Sequence, residues 1–294
     1  MLGSPVAHSL SPVLHGAAYE ALGLTGWTYE RVQCDAAALP GLVGGLDATW
    51  VGLSVTMPGK KAALALATSA STRARRLGVA NTLVRAGDGW VADCTDVDGV
   101  AGALRVAGVQ APASTTAGAS ITAGPSITAG ASGAVLLGAG GTASAAVGAL
   151  DDLGTESVTV VVRDPGRAAD TRAVARAYGM SERTVRFDEL GDDDLGRATA
   201  LVSTTPAGAV DEALAERLVG ALPLGAVVLD AVYHPWPTPL AAAATRRGLA
   251  VATGLDMLLH QAFGQVEQFT GRPAPRAVMH EALVRATGFE VRPP

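Results

Sequence analysis

Five continuous apolar runs in the second half of the chain constrain its fold more than any other feature. They are AVLLG, SVTVVVR, ATALVST, AVVLDAV and LAVATG, and they lie between residues 134 and 254. Helical patterns such as AADTRAVARAYG separate them. A strand that is apolar along its whole length is buried on both faces, as in a parallel sheet covered by helices. The pattern therefore predicts an α/β fold with a doubly wound parallel sheet.

A glycine-rich turn follows the first apolar run. Gly138, Gly140 and Ala143 have the spacing G-x-G-x-x-A between a strand pattern and a helical pattern. The first glycine makes the tight turn, the second lets the backbone approach a pyrophosphate, and the small third residue lets helix pack on strand. The helix N-terminus adds N–H groups and the positive end of a dipole. This turn predicts a dinucleotide-binding site of the Rossmann type.

The next apolar run ends where the adenosine ribose of a bound dinucleotide would lie. It carries Arg163 followed by Asp164, with Arg167 three residues further on. An acidic residue at this place holds the 2′-hydroxyl of NAD, whereas an arginine suits the 2′-phosphate of NADP. We predict NADP as the cofactor, and Asp164 keeps NAD as the alternative.

The N-terminal part mixes shorter strand and helix signals. WTYERVQ, WVGLSVTM, NTLVR and WVADCTD indicate strands, the last two joined across a turn at residues 86–89. In SPVLHGAAYEALGL, Ser11 is the predicted N-cap and Pro12 the first helical residue, with the helix ending at Gly23 or soon after. Only Met1 and Leu2 precede Gly3, so we expect either an upstream start or a first strand that is largely missing.

Composition excludes several classes of function. The net charge is −5 and the chain has no basic block, so nucleic acid is not an expected partner. Cys34 and Cys94 fit neither a disulfide framework nor a zinc site, and His234, His260 and His280 are too scattered to indicate any metal site. There is no secretory signal, and the apolar window at residues 133–150 contains GAGG and several small polar residues. We expect a cytoplasmic protein without a membrane span.

One segment does not fit this pattern of strands and helices. Residues 111–132 read APASTTAGASITAGPSITAGAS, in which TAG-A/P-S recurs three times. A segment without charge and with little side-chain bulk cannot bury enough apolar surface to pack. We predict a flexible low-complexity insert.

The only two lysines of the chain are adjacent. Among 22 basic residues, Lys60 and Lys61 are the only ones that are not arginine, and both belong to the stretch LSVTMPGKK. A lysine amine can release and recover a proton, whereas arginine stays charged in proteins. The pair therefore indicates proton chemistry, with two solvated surface charges as the alternative.

Short motifs along the whole chain outside the insert resemble those of shikimate dehydrogenases. GSPVAHSLSP resembles their G-x-P-x-x-H-S-x-S-P, SVTMPGK their N-V-T-x-P-x-K, GVANT their G-A-V-N-T and DCTDVDG their D/Y-N-T-D-x-x-G. STTPAG, LDAVYHPWPTPL and GLDMLLHQAFGQVEQFTG resemble later motifs of the family, in the family's order. The chain is identified as a member of this family by that set.

The resemblance implies a two-domain enzyme that reduces 3-dehydroshikimate to shikimate with NADPH in a cleft between the domains. It implies a substrate-binding catalytic domain of residues 1–98 plus 255–294 and a Rossmann-type NADP-binding domain of residues 99–254, with the C-terminal helices returning to the first domain. The implied catalytic pair is Lys60 and Asp96. With that pair, the implied substrate-binding residues are Ser9, Ser11, Thr56, Asn81, Tyr233 and Gln261. The cofactor residues are Gly138, Ala139, Gly140, Gly141, Thr142, Ala143, Arg163, Arg167, Thr204 and Gly254.

Several positions depart from the family pattern. Ser54 and Cys94 each stand where asparagine is usual, and Val162-Arg163-Asp164 replaces Asn-Arg-Thr. Two other functions stay open at this point. One is a quinate or dual quinate/shikimate dehydrogenase, and the other is a non-catalytic sensor of shikimate-pathway metabolites, in which loss of the lysine or the aspartate would be expected. The sequence does not indicate an oligomeric state.

Overall fold

The computed structural model describes residues 1–109 and 133–294, so the insert predicted at residues 111–132 lies outside the described part. The strands before the insert are β1 (Leu2–Gly3), β2 (Val32–Gln33), β3 (Gly52–Ser54), β4 (Ser69–Ala70), β5 (Thr82–Ala86) and β6 (Gly89–Asp93). The helices there are α1 (Ser11–Ala21), α2 (Leu39–Gly44), α3 (Lys60–Leu66), α4 (Thr72–Leu77) and α5 (Asp96–Val106).

The N-terminal strands form two small sheets. One is the parallel pair of β1 and β2, and the other has the order β3-β5-β6-β4, in which β5 and β6 make the antiparallel hairpin expected from the sequence. A bridge between Leu2 and Val55 joins the two sheets. The predicted strands WTYERVQ and WVGLSVTM are longer than the segments that pair. Only Val32–Gln33 pairs in the first, and Gly52–Ser54 with the bridging Val55 in the second.

The remaining strands are β7 (Gly133–Leu137), β8 (Ser157–Val162), β9 (Ser181–Arg186), β10 (Ala198–Ser203), β11 (Val227–Asp230) and β12 (Ala250–Thr253). The helices among and after them are α6 (Gly141–Asp152), α7 (Ala169–Ala177), α8 (Asp192–Gly196), α9 (Glu212–Ala221), α10 (Pro239–Arg246), α11 (Gly254–Thr270) and α12 (Arg276–Thr287).

These six strands form one parallel sheet in the order β12-β11-β10-β7-β8-β9. Alternate residues of the same strand enter different cores. Leu136 and Val160 belong to the core on one face, and Val135 and Val161 to the core on the other. The predicted α/β class and doubly wound sheet are therefore confirmed. Strand order reverses between β7 and β10, and ligands of such sheets bind outside the carboxyl ends of the strands at that point.

The edge strand β9 was not predicted. Three of the six residues in its sequence SERTVR are charged, and only Val185 is buried. Strands β9 and β12 are both edge strands of the sheet, but β9 also carries the charged residues Glu182, Arg183 and Arg186 and therefore lacks a continuous apolar run.

Ser11 is the first residue of α1 and not its N-cap, so that part of the prediction is wrong by one residue. Leu10 occupies the cap position without a side-chain hydrogen bond. The hydroxyl of Ser11 is fully buried and instead accepts a hydrogen bond of 3.2 Å from the hydroxyl of Ser9.

Helix α11, near the end of the chain, packs closely on α5, which precedes the insert. A Cβ atom on Gly99 would lie 2.8 Å from the carbonyl oxygen of Met257, and one on Gly102 would lie 2.3 Å from Nδ1 of His260. The absence of side chains at these two positions lets the helix backbones approach. Helices α11 and α12 also share a core with α1, through residues such as Leu14 and Leu283.

Candidate active site

Lys60 and Asp96 form an ion pair at the centre of the candidate site. Each is the first residue of its helix, α3 for the lysine and α5 for the aspartate. Nζ of Lys60 donates to Oδ2 of Asp96 over 2.5 Å, and the two side chains are 12% and 8% exposed. Burial by itself lowers the pKa of Lys60, but the charge of Asp96 and the hydrogen bond to it outweigh burial and raise that pKa above its ordinary value. The amine is therefore a charged ammonium at neutral pH.

Asn81 holds the other oxygen of the carboxylate. Its Nδ2 donates to Oδ1 of Asp96 over 2.8 Å, while its own Oδ1 accepts from the backbone N–H of Thr95 over 2.8 Å. Asp96 is thus fixed on both sides. The N-terminus of α5 also favours a negative charge at this position.

Gln261 lies beside this group on α11. Its Oε1 is 3.4 Å from Nδ2 of Asn81, and its Nε2 donates to the carbonyl of Leu258 over 2.9 Å. The structure therefore brings together four of the sequence-predicted site residues, namely Lys60, Asn81, Asp96 and Gln261.

Ser9, in the loop that leads into α1, lies beside Ser11, the first residue of that helix. Their hydroxyl oxygens are 3.2 Å apart, and the carbonyl oxygen of Ser9 accepts a hydrogen bond of 2.8 Å from Nε of Arg31. Tyr233, which is half-buried, lines an open pocket of about 200 Å³ together with His8, which precedes Ser9. Thr56 is placed next to β1, because its backbone N–H donates to the carbonyl of Leu2 over 2.8 Å.

The glycine-rich turn between β7 and α6 has the geometry expected of a dinucleotide site. Gly138 has a φ of +99°, a conformation that favours glycine, and a Cβ atom there would lie 2.8 Å from Oγ1 of Thr204. A Cβ atom on Gly140 would meet nothing within 4 Å, so the turn is open on that side. Ser144 donates its N–H to the carbonyl of Gly140, so the N–H groups at residues 141–143 precede the first helical hydrogen bond. These features fit the pyrophosphate of NADP.

The two arginines expected near the ribose follow β8 and are exposed, as is Asp164 between them. Oδ1 of Asp164 accepts a hydrogen bond of 2.9 Å from the backbone N–H of Gly166 and so caps the short 3-10 turn Pro165–Ala168. The carboxylate has a local structural partner, while Arg163 and Arg167 stay available for a phosphate. Gly254 begins α11 with its Cα close to β11, since a Cβ atom there would lie 2.3 Å from the carbonyl oxygen of Ala231.

The cofactor turn and the ion pair are in direct contact. Nζ of Lys60 is 3.0 Å from Oγ1 of Thr142, and a Cβ atom on Gly141 would lie 3.2 Å from Cδ of Lys60. Lys61, in contrast, is 68% exposed and forms an ion pair with Asp170 of α7.

Comparison with known proteins identifies the family. The model of the shikimate dehydrogenase substrate-binding domain matches residues 1–83, and that of the shikimate 5'-dehydrogenase C-terminal domain matches residues 254–284. Shikimate dehydrogenase (NADP(+)) of Methylobacterium radiotolerans is 39% identical over 283 residues, which is 94% of this chain and 92% of that protein. The chain belongs to the shikimate dehydrogenase family. The resemblance predicted from the motifs is thereby confirmed.

Solved structures of the shikimate dehydrogenase family have the same fold. The enzyme of Mycobacterium tuberculosis superposes with a TM-score of 0.81 at 50% identity, covering 97% of both chains. The enzyme of Thermus thermophilus, solved with NADP(H) and shikimate, gives a TM-score of 0.77 at 33% identity and also covers 97% of both chains.

Ser54, which departs from the family's usual asparagine, belongs to a buried hydrogen-bond network behind the site. Its hydroxyl accepts from the hydroxyl of Tyr29 over 2.6 Å and donates to Oε1 of Gln265 over 2.8 Å. Nε2 of Gln265 in turn donates to the carbonyl of Asn81 over 3.2 Å. Sequence reasoning missed Tyr29 and Gln265. A signal for Gln265 was available, since it follows Gln261 by four residues in a helical pattern and so shares its face.

Cys94, the second departure from the shikimate dehydrogenase pattern, is a fully buried thiol two residues before Asp96. Burial and then the nearby charge of Asp96 raise its pKa to about 12. The thiol is therefore neutral, so this substitution adds no charge beside the ion pair.

None of the helices in residues 1–109 and 133–294 has the length and apolarity needed to cross a bilayer.

Proposed function

We propose that this chain is a shikimate dehydrogenase that reversibly reduces 3-dehydroshikimate to shikimate with NADPH. The observation that carries the proposal is the buried pair of Lys60 and Asp96, with Nζ and Oδ2 2.5 Å apart and Nζ 3.0 Å from Thr142 of the cofactor turn. An ammonium group held between a carboxylate and a dinucleotide turn suits a reaction that needs both a hydride and a proton.

In this proposal the substrate lies between the Ser9 loop and the ion pair. The two serine hydroxyls would bind its carboxylate, and the remaining polar groups would hold its hydroxyls. Those groups are Thr56, Asn81, Tyr233 and Gln261, together with the ion pair. The mutual hydrogen bonds of Asn81 with Asp96 and Gln261 support this role, because residues that fix one another orient a substrate precisely enough for reaction.

Lys60 would supply the proton. NADPH supplies a hydride when bound, and the carbonyl oxygen that becomes negative then needs a proton. Nζ of Lys60 stabilises the developing charge and donates that proton. Asp96 keeps the amine charged and aimed. A guanidinium could stabilise the charge but could not give up a proton.

The NADP site of this proposal lies at the carboxyl end of β7. The backbone of the turn would hold the pyrophosphate, and Arg163 and Arg167 the 2′-phosphate. The proposed residues of the turn and its surroundings are Gly138, Ala139, Gly140, Gly141, Thr142, Ala143, Thr204 and Gly254. We also propose the division into residues 1–98 plus 255–294 and 99–254, and a cytoplasmic location, which cell fractionation would test.

The test is a spectrophotometric assay of the purified protein with shikimate and with quinate, each against NADP⁺ and NAD⁺. We expect the highest kcat/KM with shikimate and NADP⁺. Higher kcat/KM with quinate would assign the chain to a quinate dehydrogenase, and no turnover with any pair would support a sensor.

The same assay on lysine variants tests the proton donor. Lys60→Ala should lose about 10²–10⁴ in kcat, the usual contribution of a positioned acid or base. Lys60→Arg should be similarly slow because it keeps the charge without a transferable proton. Lys61→Arg is the matched control, since it keeps the exposed pair with Asp170 and should turn over normally. Turnover of Lys60→Arg near that of the unmodified protein would contradict the assignment.

A further inference from the structure

The ammonium group of Lys60 has three N–H donors, and the structure accounts for two of them. One goes to Oδ2 of Asp96 over 2.5 Å and a second to Oγ1 of Thr142 over 3.0 Å. Since an ammonium has three donors and no acceptor, one N–H is left for another partner. The two known partners come from different parts of the fold, α5 and the start of α6.

Thr142 is held rigidly enough to orient the lysine. It is the second residue of α6, a helix of 12 residues whose interior is almost entirely buried. The lysine is anchored as well, because its backbone carbonyl accepts from the N–H of Ala80 over 3.0 Å and its stem packs against Gly141. With both backbones fixed, the hydroxyl of Thr142 and the carboxylate of Asp96 together define the direction of the third N–H.

We propose that Thr142 is a positioning residue for the proton donor Lys60, in addition to its place in the cofactor turn. This inference rests on the proposed dehydrogenase activity. The hydroxyl accepts one hydrogen bond from the ammonium group and so directs the remaining N–H toward the substrate oxygen. Because Thr142 belongs to the turn that carries NADP, the proton donor is oriented by the same segment that places the hydride source.

The other charged and titratable groups near Lys60 do not supply this contact. Asp96 on α5 already holds a different N–H, and the thiol of Cys94 is neutral. Lys61, the neighbour on α3, pairs with Asp170 and adds no acceptor. Thr142 is the neutral acceptor on the cofactor side, and its hydrogen bond favours the charged form of the amine.

The experiment compares Thr142→Val, Thr142→Ser and the matched control Thr204→Val in the reduction direction. Valine has nearly the shape of threonine but no acceptor. Thr204 also lies beside the glycine turn, but its Oγ1 donates to the carbonyl of Leu137 and not to the lysine. Melting temperatures verify folding. At saturating NADPH, kcat and its pH profile are measured for each variant and for Lys60→Ala.

We expect Thr142→Val to lower kcat about tenfold, the loss of one charge-assisted hydrogen bond. Its activity should also fall at a lower pH on the basic side, because the lysine loses a partner that favours its charged form. Thr142→Ser should restore both quantities. Thr204→Val should change the KM for NADPH without moving the basic limb, that is, the pH range on the basic side of the kcat profile over which activity falls.

Two results would overturn the inference. If Thr142→Val changes only the KM for NADPH, with kcat and the basic limb unchanged at saturation, the threonine serves the cofactor alone. If Thr142→Ser does not restore kcat, the hydroxyl is not the group that matters. Failure of the proposed function would look different, because the unmodified protein would then turn over neither substrate. If Lys60 were not the proton donor, Lys60→Ala would keep full turnover whatever Thr142 does.

Discussion

Replacing Gly102 by alanine tests the close packing of α5 on α11. A Cβ atom at this position would lie 2.3 Å from Nδ1, 2.4 Å from Cγ and 2.8 Å from Cβ of His260. The overlap includes Cβ of His260, which rotation of the side chain does not move, so a change of rotamer does not relieve it. The two helices must therefore separate, by roughly an ångström if ordinary contacts near 3.5 Å are to be restored.

Two opposing effects set the magnitude. Alanine is about 1 kcal/mol more favourable than glycine inside a helix, and overpacking a tight contact costs about 1–3 kcal/mol. Gly16 gives the matched control, because it lies within α1 and a Cβ atom there would meet nothing within 4 Å. Gly16→Ala should thus stabilise the protein by about 0.5–1 kcal/mol, and Gly102→Ala should be less stable than Gly16→Ala by about 1–3 kcal/mol.

Thermal denaturation and steady-state kinetics check both variants. Each kcal/mol corresponds to about 2–4 °C in Tm for domains of 150–250 residues. Gly102→Ala should also lower kcat, because α5 begins with Asp96 and α11 carries Gln261, so separating the helices displaces the proposed catalytic carboxylate. A Gly102→Ala protein as stable as Gly16→Ala, with normal kcat, would refute the argument.

Three further outcomes are expected from the site. Arg163→Ala should raise the KM for NADP⁺ much more than that for NAD⁺, because only NADP⁺ offers a phosphate for a charge-assisted contact; equal changes would place the arginine elsewhere. Asp96→Asn should shift the basic limb of the reduction pH profile to lower pH, since burial of Lys60 then lowers its pKa without compensation; an unmoved limb would contradict this. Burial lowers the pKa of His15 from 6.5 to about 3, so between these pH values only the unfolded chain binds the proton. The free energy of unfolding should therefore decline as pH falls from 6.5 toward 3. His15→Phe should flatten this decline in denaturant titrations at several pH values.

The sequence predicted the C-terminal sheet well because burial on both faces leaves a local record. Strands β8, β10, β11 and β12 each fall within one of the continuous apolar runs, and β7 begins one residue before its run. The edge strand β9 leaves no such record, because three of its six residues are charged and only Val185 is buried. In the N-terminal part, strand lengths were overestimated because a strand ends where its partner ends, and the partner of Val32–Gln33 has only two residues.

In the candidate site, too, the sequence indicated the residues that belong to local motifs and missed those that meet only through the fold. Residues within short motifs could be proposed from the sequence, and the structure brings Lys60, Asn81, Asp96 and Gln261 together. Gln265 could have been proposed from its place four residues after Gln261, but its contact with Ser54 could not, because the two are 211 residues apart and neither has a local pattern that indicates the other. That contact forms only because α11 packs on the sheet that contains β3.

The adjacent lysines show how helix geometry separates two identical side chains. Consecutive residues of a helix point about 100° apart, so Lys60 and Lys61 on the first turn of α3 face different surroundings. The first is 12% exposed against Asp96 and Thr142, and the second is 68% exposed against Asp170. A solvent-exposed pair contributes little to stability, and arginine can form it equally well. In the proposed mechanism position 60 needs a group that is charged while buried yet able to release a proton, and between lysine and arginine only lysine meets both requirements.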